Sequence, residues 1–165
     1  MPSAFYGTPD AANGYFADRG SATWVEADDD DKLAALVRGS QVIDALYEPR
    51  FPGRRAIGYE QALSWPRAGA VTANGEAIAD DAVPLPVTYA AYEAAMAELA
   101  TPGSLTPVVT ATRQVRREKI GSLETEYAVA TSADDLVAAA RPVLTVLDGL
   151  LYPFLRPVLP GILAV

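Results

Sequence analysis

The chain has 165 residues and a net charge of −8, half of its residues are apolar, and it contains neither cysteine nor histidine. Its length suits a single hydrophobic core, and its acidic balance argues against a broad phosphate-binding surface. Without those two residue types there is no disulfide, no thiolate zinc site and no histidine-based catalytic arrangement, so we expect no enzymatic activity, no cofactor and no metal site.

Adjacent carboxylates are the remaining candidates for chemistry. Aspartates occupy positions 80–81 and 134–135, but neighbours in sequence do not face one another in a helix or strand. Both pairs lie beside turn signals, where aspartate commonly forms local hydrogen bonds. The acidic run at residues 28–31 lacks the alternating ligands and the central glycine of a calcium loop.

The N-terminal segment predicts a short first helix. Thr8 is suited to be its N-cap and Pro9 to occupy its first position. Tyr15 and Phe16 are expected in the core, and Gly20 is expected to end the helix.

A second helix is predicted after Trp24, which we expect to be a buried structural anchor. The carboxylates at 28–31 fall at its N-terminus, where the helix dipole favours them. Apolar residues then recur at helical spacing from Leu33 to Leu46. Gly39 costs this helix about 1 kcal/mol relative to alanine, which predicts the close approach of a neighbouring element.

Residues 48–82 are rich in proline, glycine and arginine and predict a long irregular loop. Trp65 precedes Pro66, and a residue before proline is disfavoured in helix. We therefore expect a pinned loop in which Trp65 enters the core and Arg67 points outward.

The same loop contains other expected features. Phe51 and Tyr59 are candidates for burial. Asn74-Gly75 is a tight-turn signal and predicts a small hairpin from Val71 to Ile78.

Pro84 and Pro86 introduce a third helix that is predicted to run to about Leu99. Small residues, mostly alanine, cover nearly all of its faces, which predicts a central helix with close neighbours. Residues 115–127 alternate around Gly121-Ser122 and predict a β-hairpin, and residues 128–135 are expected to be a flexible linker.

The last helix is predicted from Pro142 to about Leu151, followed by an apolar tail that prolines interrupt. No uninterrupted run of about 18 apolar residues exists, so we expect no membrane span. We expect this surplus of apolar surface to dock on a partner. The predicted organisation is therefore a helical domain with the hairpin at 1–130, and a linker, C-terminal helix and docking tail at 131–165.

These elements predict a mainly α fold, a small bundle of about four helices with a long irregular middle loop and a β-hairpin. Residues 10–48 and 68–100 are net acidic, whereas residues 50–67 are net basic. Blocks of opposite charge favour a ring of copies with heterologous contacts, although an ordinary solvated surface also has this pattern.

Several motifs occur together in a characteristic order. They are Tyr15-Phe16-Ala17-Asp18-Arg19-Gly20, Trp24, Lys32-Leu33-Ala34-Ala35-Leu36, Ile43-Asp44, Phe51-Pro52-Gly53, Gln61-Ala62-Leu63-Ser64-Trp65-Pro66-Arg67, Val83-Pro84 and Val115-Arg116-Arg117-Glu118-Lys119-Ile120-Gly121. This order resembles a phage family catalogued as DnaT-like single-stranded-DNA-binding proteins. That family is similar to the head–tail connector (adaptor) proteins of long-tailed phages and phage-like gene transfer particles. The resemblance covers roughly residues 6–155.

The resemblance implies a structural virion protein of the neck, assembled in the host cytoplasm. It implies a dodecameric ring under the portal protein that extends the DNA channel and meets a stopper or other neck or tail protein. Double-stranded DNA would pass without specific binding, since a negative lumen repels phosphates.

Three sets of residues are assigned expected roles on this basis. The expected portal-docking residues are Leu144, Leu147, Leu150, Leu151, Tyr152, Phe154, Leu155 and Leu159. The expected subunit or neck interface comprises Arg50, Arg54, Arg55, Arg67, Arg116, Arg117 and Lys119. The expected structural anchors are Trp24, Phe51, Trp65 and Pro66.

The alternative function is a single-stranded-DNA-binding replication accessory. In that case the loop arginines would hold phosphates, and Phe51, Tyr59 and Trp65 would stack on bases. The net charge of the chain opposes this alternative, and packing explains the aromatic residues equally well.

Overall fold

The computed structural model describes residues 4–105, the strand residues 117–120 and 123–126, and residues 145–157. The chain divides into two compact units, one of Met1–Ser104 with Leu144–Val165 and one of Leu105–Val143. The prediction of a mainly helical fold with a small hairpin is confirmed. The described helices are α1 (Pro9–Ala17), α2 (Ala22–Glu26), α3 (Asp29–Tyr47), α4 (Leu85–Ala100) and α5 (Thr145–Leu151).

The first helix begins as its sequence predicts. Thr8 is the N-cap, and its side chain accepts a hydrogen bond from the backbone N–H of Ala11 at 3.2 Å. Tyr15 and Phe16 are buried. Trp24 lies in α2, a helix that the sequence patterns do not predict, and its ring stacks on Phe16 with a centroid separation of 4.4 Å.

The two long helices, α3 and α4, form the centre of the larger unit. Gly39 of α3 lies directly against the backbone of Ala91 and Ala95 in α4, which confirms the predicted close approach. The buried residues of α4 lie on most of its faces, so the prediction of a central helix is also confirmed. They are Val87, Thr88, Ala90, Ala91, Tyr92, Ala94, Ala95 and Glu98.

The long loop between α3 and α4 is irregular but contains short regular pieces. Strands β1 (Arg54–Arg55) and β2 (Arg67–Ala68) pair antiparallel. An antiparallel bridge between Val71 and Ala77 forms the predicted small hairpin around Gly75.

The smaller unit contains the predicted second hairpin. Strands β3 (Arg117–Ile120) and β4 (Leu123–Glu126) pair antiparallel, with Arg117 opposite Glu126 and Lys119 opposite Glu124. The expected linker at 128–135 and Arg116 lie outside the described residues.

The C-terminal helix α5 packs against α4 and continues into a 3₁₀ turn at Tyr152–Phe154. Leu147, Leu151 and Leu155 are buried in the chain itself. The expectation that these three leucines are surplus apolar surface is therefore wrong, because their side chains are buried within the chain.

The rest of the expected docking set varies in exposure. Tyr152 is 72 % exposed, and Leu150 and Phe154 are half-buried. Leu144 and Leu159 lie outside the described residues. Among the helices that the structure describes, none has the length and apolarity required to cross a membrane.

Candidate functional site

The loop around Trp65 is held to α3 by a half-buried carboxylate, that of Asp44, which sequence reasoning missed. The Tyr6 hydroxyl donates to Asp44 Oδ1 at 2.5 Å, and the Ser64 backbone N–H donates to Asp44 Oδ2 at 2.8 Å. The backbone N–H of Trp65 in turn donates to the Tyr6 hydroxyl at 3.1 Å. The Tyr6 backbone N–H donates to Ser40 Oγ at 3.0 Å. One polar cluster thus joins the N-terminal segment, α3 and the loop.

Burial dominates the titration of this cluster. It raises the pKa of Asp44, while the hydrogen bonds from Tyr6 and Ser64 act in the opposite direction. Burial, together with the neighbouring Asp44 carboxylate, raises the pKa of Tyr6. Tyr6 therefore remains a hydrogen-bond donor throughout the physiological pH range.

Trp65 is 1 % exposed, and its ring meets Phe51 edge-to-face at a centroid separation of 5.6 Å. The peptide bond between Trp65 and Pro66 is cis. The indole Nε1 of Trp65 is buried and has no hydrogen-bond acceptor among the described residues. By contrast, the indole of Trp24 donates to Asn13 Oδ1 at 2.8 Å.

Arg67 does not point outward. It is 5 % exposed, and Nε donates to the Pro52 carbonyl at 2.6 Å. Its Nη1 donates to the Ser64 carbonyl at 3.1 Å, and Nη2 to the Gly53 carbonyl at 3.0 Å. An irregular buried loop leaves carbonyls without partners, and one guanidinium with five N–H donors satisfies several of them. The prediction for Arg67 is wrong because it treats a structural cation as a surface charge.

Arg55 is also engaged within the loop. It makes a two-point hydrogen bond to Glu48, with Nε–Oε1 at 2.6 Å and Nη2–Oε2 at 2.7 Å, and Nη1 reaches the Gln61 carbonyl at 2.6 Å. The hydrogen bond from Arg55 lowers the pKa of the Glu48 carboxyl. Such a planar pair fixes the loop geometry as well as neutralising its charge.

The C-terminal segment adds a third arginine contact to this loop. Arg156 Nη2 donates to the Phe51 carbonyl at 2.9 Å, and the Arg156 N–H donates to the Arg50 carbonyl at 2.8 Å. Arg54 is exposed. Of the four expected loop cations, Arg55 and Arg67 are therefore engaged with the loop backbone and Glu48, whereas Arg50 Nε donates to the Arg156 carbonyl at 3.4 Å.

Tyr59 is the clearest error among the expected buried aromatics. It is 92 % exposed, and Ile57, two residues earlier, is 74 % exposed. Both residues lie at the turn Gly58–Glu60, in which Gly58 has a positive φ of 78°.

A groove lined by tyrosines is the other place where a base could stack. Tyr15, Tyr89 and Tyr92 line a cavity of about 430 Å³. The Tyr15 hydroxyl donates to Glu93 Oε1 at 2.7 Å, and Arg19 lies over the Tyr15 ring at 3.4 Å from its centroid. Arg19 Nε also lies 3.8 Å from Glu93 Oε1. The positive charge of this groove is therefore already paired with a carboxylate.

The charge on the described surface is strongly one-sided. Within residues 4–105 and 145–157, twelve acidic residues are exposed against three basic ones. The acidic residues are Asp10, Asp18, Glu26, Asp28, Asp29, Asp30, Asp31, Glu60, Glu76, Asp80, Asp81 and Asp148, and the basic residues are Arg19, Arg54 and Arg156. No group of three or more side chains suited to hold a metal ion occurs within the described ranges.

The fold and the loop define a small helical domain whose central helix pair carries an internally braced, arginine-containing loop. The sequence profile of the family described as "Putative DnaT-like ssDNA binding protein" matches residues 5–161. The chain belongs to this family. No curated protein and no solved structure matches it significantly.

Proposed function

We propose that the chain is a structural subunit of the head–tail connector of a tailed phage or phage-like particle. In this role it forms a ring under the portal protein, extends the DNA channel and joins the neck. The observation that supports this proposal is the charge of the described surface, with its twelve exposed acidic residues and its inward-facing loop arginines.

A surface rich in exposed carboxylates is better suited to line a DNA channel than to bind DNA. A protein that holds phosphates needs exposed lysine or arginine, and each such contact strengthens binding by releasing counterions. Exposed carboxylates have the opposite effect and repel phosphates within a Debye length of about 8 Å at physiological salt. DNA that slides past such a surface is not retained.

The second candidate function is single-stranded-DNA binding, which the description of the family favours. It requires a basic groove with exposed aromatic rings. In the described part of the chain, Phe51 and Trp65 are buried, and Tyr59 is the ring of the loop that remains available for stacking. Arg113 and Arg116 lie outside the described residues.

Fluorescence anisotropy with a labelled single strand separates the two candidates. At a physiological salt concentration we expect affinity no tighter than about 10⁻⁴ M, the weak end of non-specific binding. A matched variant with asparagine at 28–31 removes four negative charges at exposed positions. We expect it to fold like the wild type and to bind more tightly at low salt. Micromolar binding by the wild type with a steep salt dependence would instead favour the single-stranded-DNA candidate.

Docking on the portal is best tested at an exposed side chain. Removing residues 142–165 would also remove Leu147 and Leu151 from the core, so loss of docking in that truncation would have two explanations. Tyr152→Ala leaves the core intact and should weaken capture by immobilised portal protein. Unchanged capture would exclude Tyr152 from the docking surface.

A further inference from the structure

One face of the β3–β4 hairpin has its cationic positions on one strand and its acidic positions on the other. These positions are Arg117 and Lys119 in β3, and Glu124 and Glu126 in β4. The antiparallel register places Arg117 opposite Glu126, and it places Lys119 opposite Glu124. Because successive residues of a strand alternate between the two faces of a sheet, all four positions belong to the same face. On that face, one edge of the hairpin is cationic and the other is anionic.

Both outer edges of this hairpin lack a partner strand among the residues that the structure describes. An edge strand presents unpaired backbone N–H and C=O groups, which form a template for pairing with a further strand. A sheet of two strands is only marginally stable by itself, and additional strands stabilise it. The hairpin therefore has the backbone groups to accept one strand at each edge.

The charges select which strand suits each edge. If two copies met through equal edges, β3 against β3 or β4 against β4, like charges would lie directly opposite one another, which is destabilising. Charged edges of this kind prevent such two-fold pairing. If β4 of one copy met β3 of another, opposite charges would face one another. The two edges of the hairpin are thus complementary to each other and not to themselves.

We propose that hairpins of successive copies join edge to edge, with β4 of one copy antiparallel to β3 of the next. The contact between copies repeats the register inside each hairpin. Glu126 of one copy lies opposite Arg117 of the next, and Glu124 lies opposite Lys119. Near the turns, Leu123 of one copy lies opposite Ile120 of the next, so an apolar pair accompanies the charged ones on the other face.

This contact is heterologous, and such contacts produce a closed ring when the rotation between copies permits closure. The inference deepens the proposed connector function by naming the element through which copies meet, and closure into a ring rests on that function. Four residues on each edge make a small contact, so we expect the isolated chain to associate weakly. A closed ring strengthens each contact, because every copy is held by two neighbours.

Single cysteines trap a weak contact of this kind, and the natural chain has none. Glu118 and Thr125 are register partners, and directly opposite residues of antiparallel strands have Cα atoms at a separation that a disulfide can bridge. When Glu118→Cys chains are mixed with Thr125→Cys chains under mild oxidation, the disulfide-linked heterodimer should exceed both homodimers and the share expected from random collision. Asp81→Cys, at an exposed turn position, is the control and should give only the random share with either partner. Equal yields from all mixtures would overturn the proposal.

Reversing the charges of both strands tests the edge complementarity without removing any opposite-charge position inside the hairpin. The swapped variant combines Arg117→Glu, Lys119→Glu, Glu124→Lys and Glu126→Arg. Immobilised wild type should retain about tenfold less of the swapped variant than of the wild type, because every mixed junction places like charges opposite one another. Immobilised swapped variant should retain the swapped variant, which also shows that it folds.

Equal retention of both forms by the wild type would exclude the head-to-tail contact. That result would leave the connector function open, since DNA binding and capture by the portal protein are measured on residues outside the hairpin. Conversely, micromolar binding of single strands would refute the connector function without changing the cross-linking pattern. The two failures are therefore distinguishable.

Discussion

Replacing Gly39 by alanine should destabilise this protein, although the same change stabilises most helices. Gly39 lies inside α3 at its crossing with α4. An added Cβ would lie 2.5 Å from the Ala95 nitrogen and 2.7 Å from the Ala91 carbonyl oxygen. These are backbone atoms of a helix and cannot rotate away, so the two helices would have to separate.

Two opposing terms determine the magnitude. The helix propensity of alanine favours the variant by about 1 kcal/mol. Overpacking a tight contact costs about 1–3 kcal/mol, and backbone atoms this close place Gly39 at the upper end of that range. We expect a net loss of about 1–2 kcal/mol, which lowers Tm by about 2–8 °C in a chain of this size.

Urea denaturation followed by circular dichroism measures the effect, and Gly14→Ala is the matched control. Gly14 lies in α1, and apart from its own helix backbone and its chain neighbours no described heavy atom lies within 4 Å of the position that an added Cβ would take, so that variant should gain up to about 1 kcal/mol. The two substitutions should therefore change stability in opposite directions. A Gly39→Ala protein as stable as the wild type would refute the close packing of α3 against α4.

Three further predictions concern the loop. Trp65→Ala should lower the free energy of unfolding by about 3–5 kcal/mol in urea denaturation, and a loss under about 1 kcal/mol would mean that the ring is peripheral. Tyr6→Phe removes the hydroxyl of the buried cluster and should cost about 1–3 kcal/mol, whereas Tyr152→Phe at an exposed site should be neutral; equal effects would contradict the cluster's role. Because Arg55 holds the folded-state pKa of Glu48 below its unfolded value, the stability contributed by Glu48 is present above the ordinary glutamate pKa of about 4.3 and is lost as pH falls through the lowered value. The stability difference between the wild type and Glu48→Gln should accordingly shrink on acidification, and a pH-independent difference would exclude this pair as its source.

Helix boundaries follow from local signals that act within a few residues. The N-cap at Thr8, the acidic start of α3 and the proline start of α4 each satisfy or complement the unpaired groups of a helix end. Gly39 is informative because its helical cost implies a packing reason. These parts of the fold can be predicted without knowledge of distant contacts.

The errors arise where a side chain's partner lies far along the chain. Arginine is usually exposed, which is why Arg67 is predicted to be so, but its acceptors are carbonyls up to fifteen residues away. Ser40 and Asp44, four residues apart on one face of α3, are a usable signal of a buried polar cluster that the sequence reasoning missed. Leu147 and Leu151 are predicted as docking surface because the sequence does not show that α5 returns to α4.

Cryo-electron microscopy of DNA-filled particles from the source that encodes this chain tests the central claim most directly. We expect a ring of density under the portal into which α1 to α4 and the braced loop fit, with exposed carboxylates toward the DNA. Particles whose neck is complete but contains no copy of this polypeptide would contradict it.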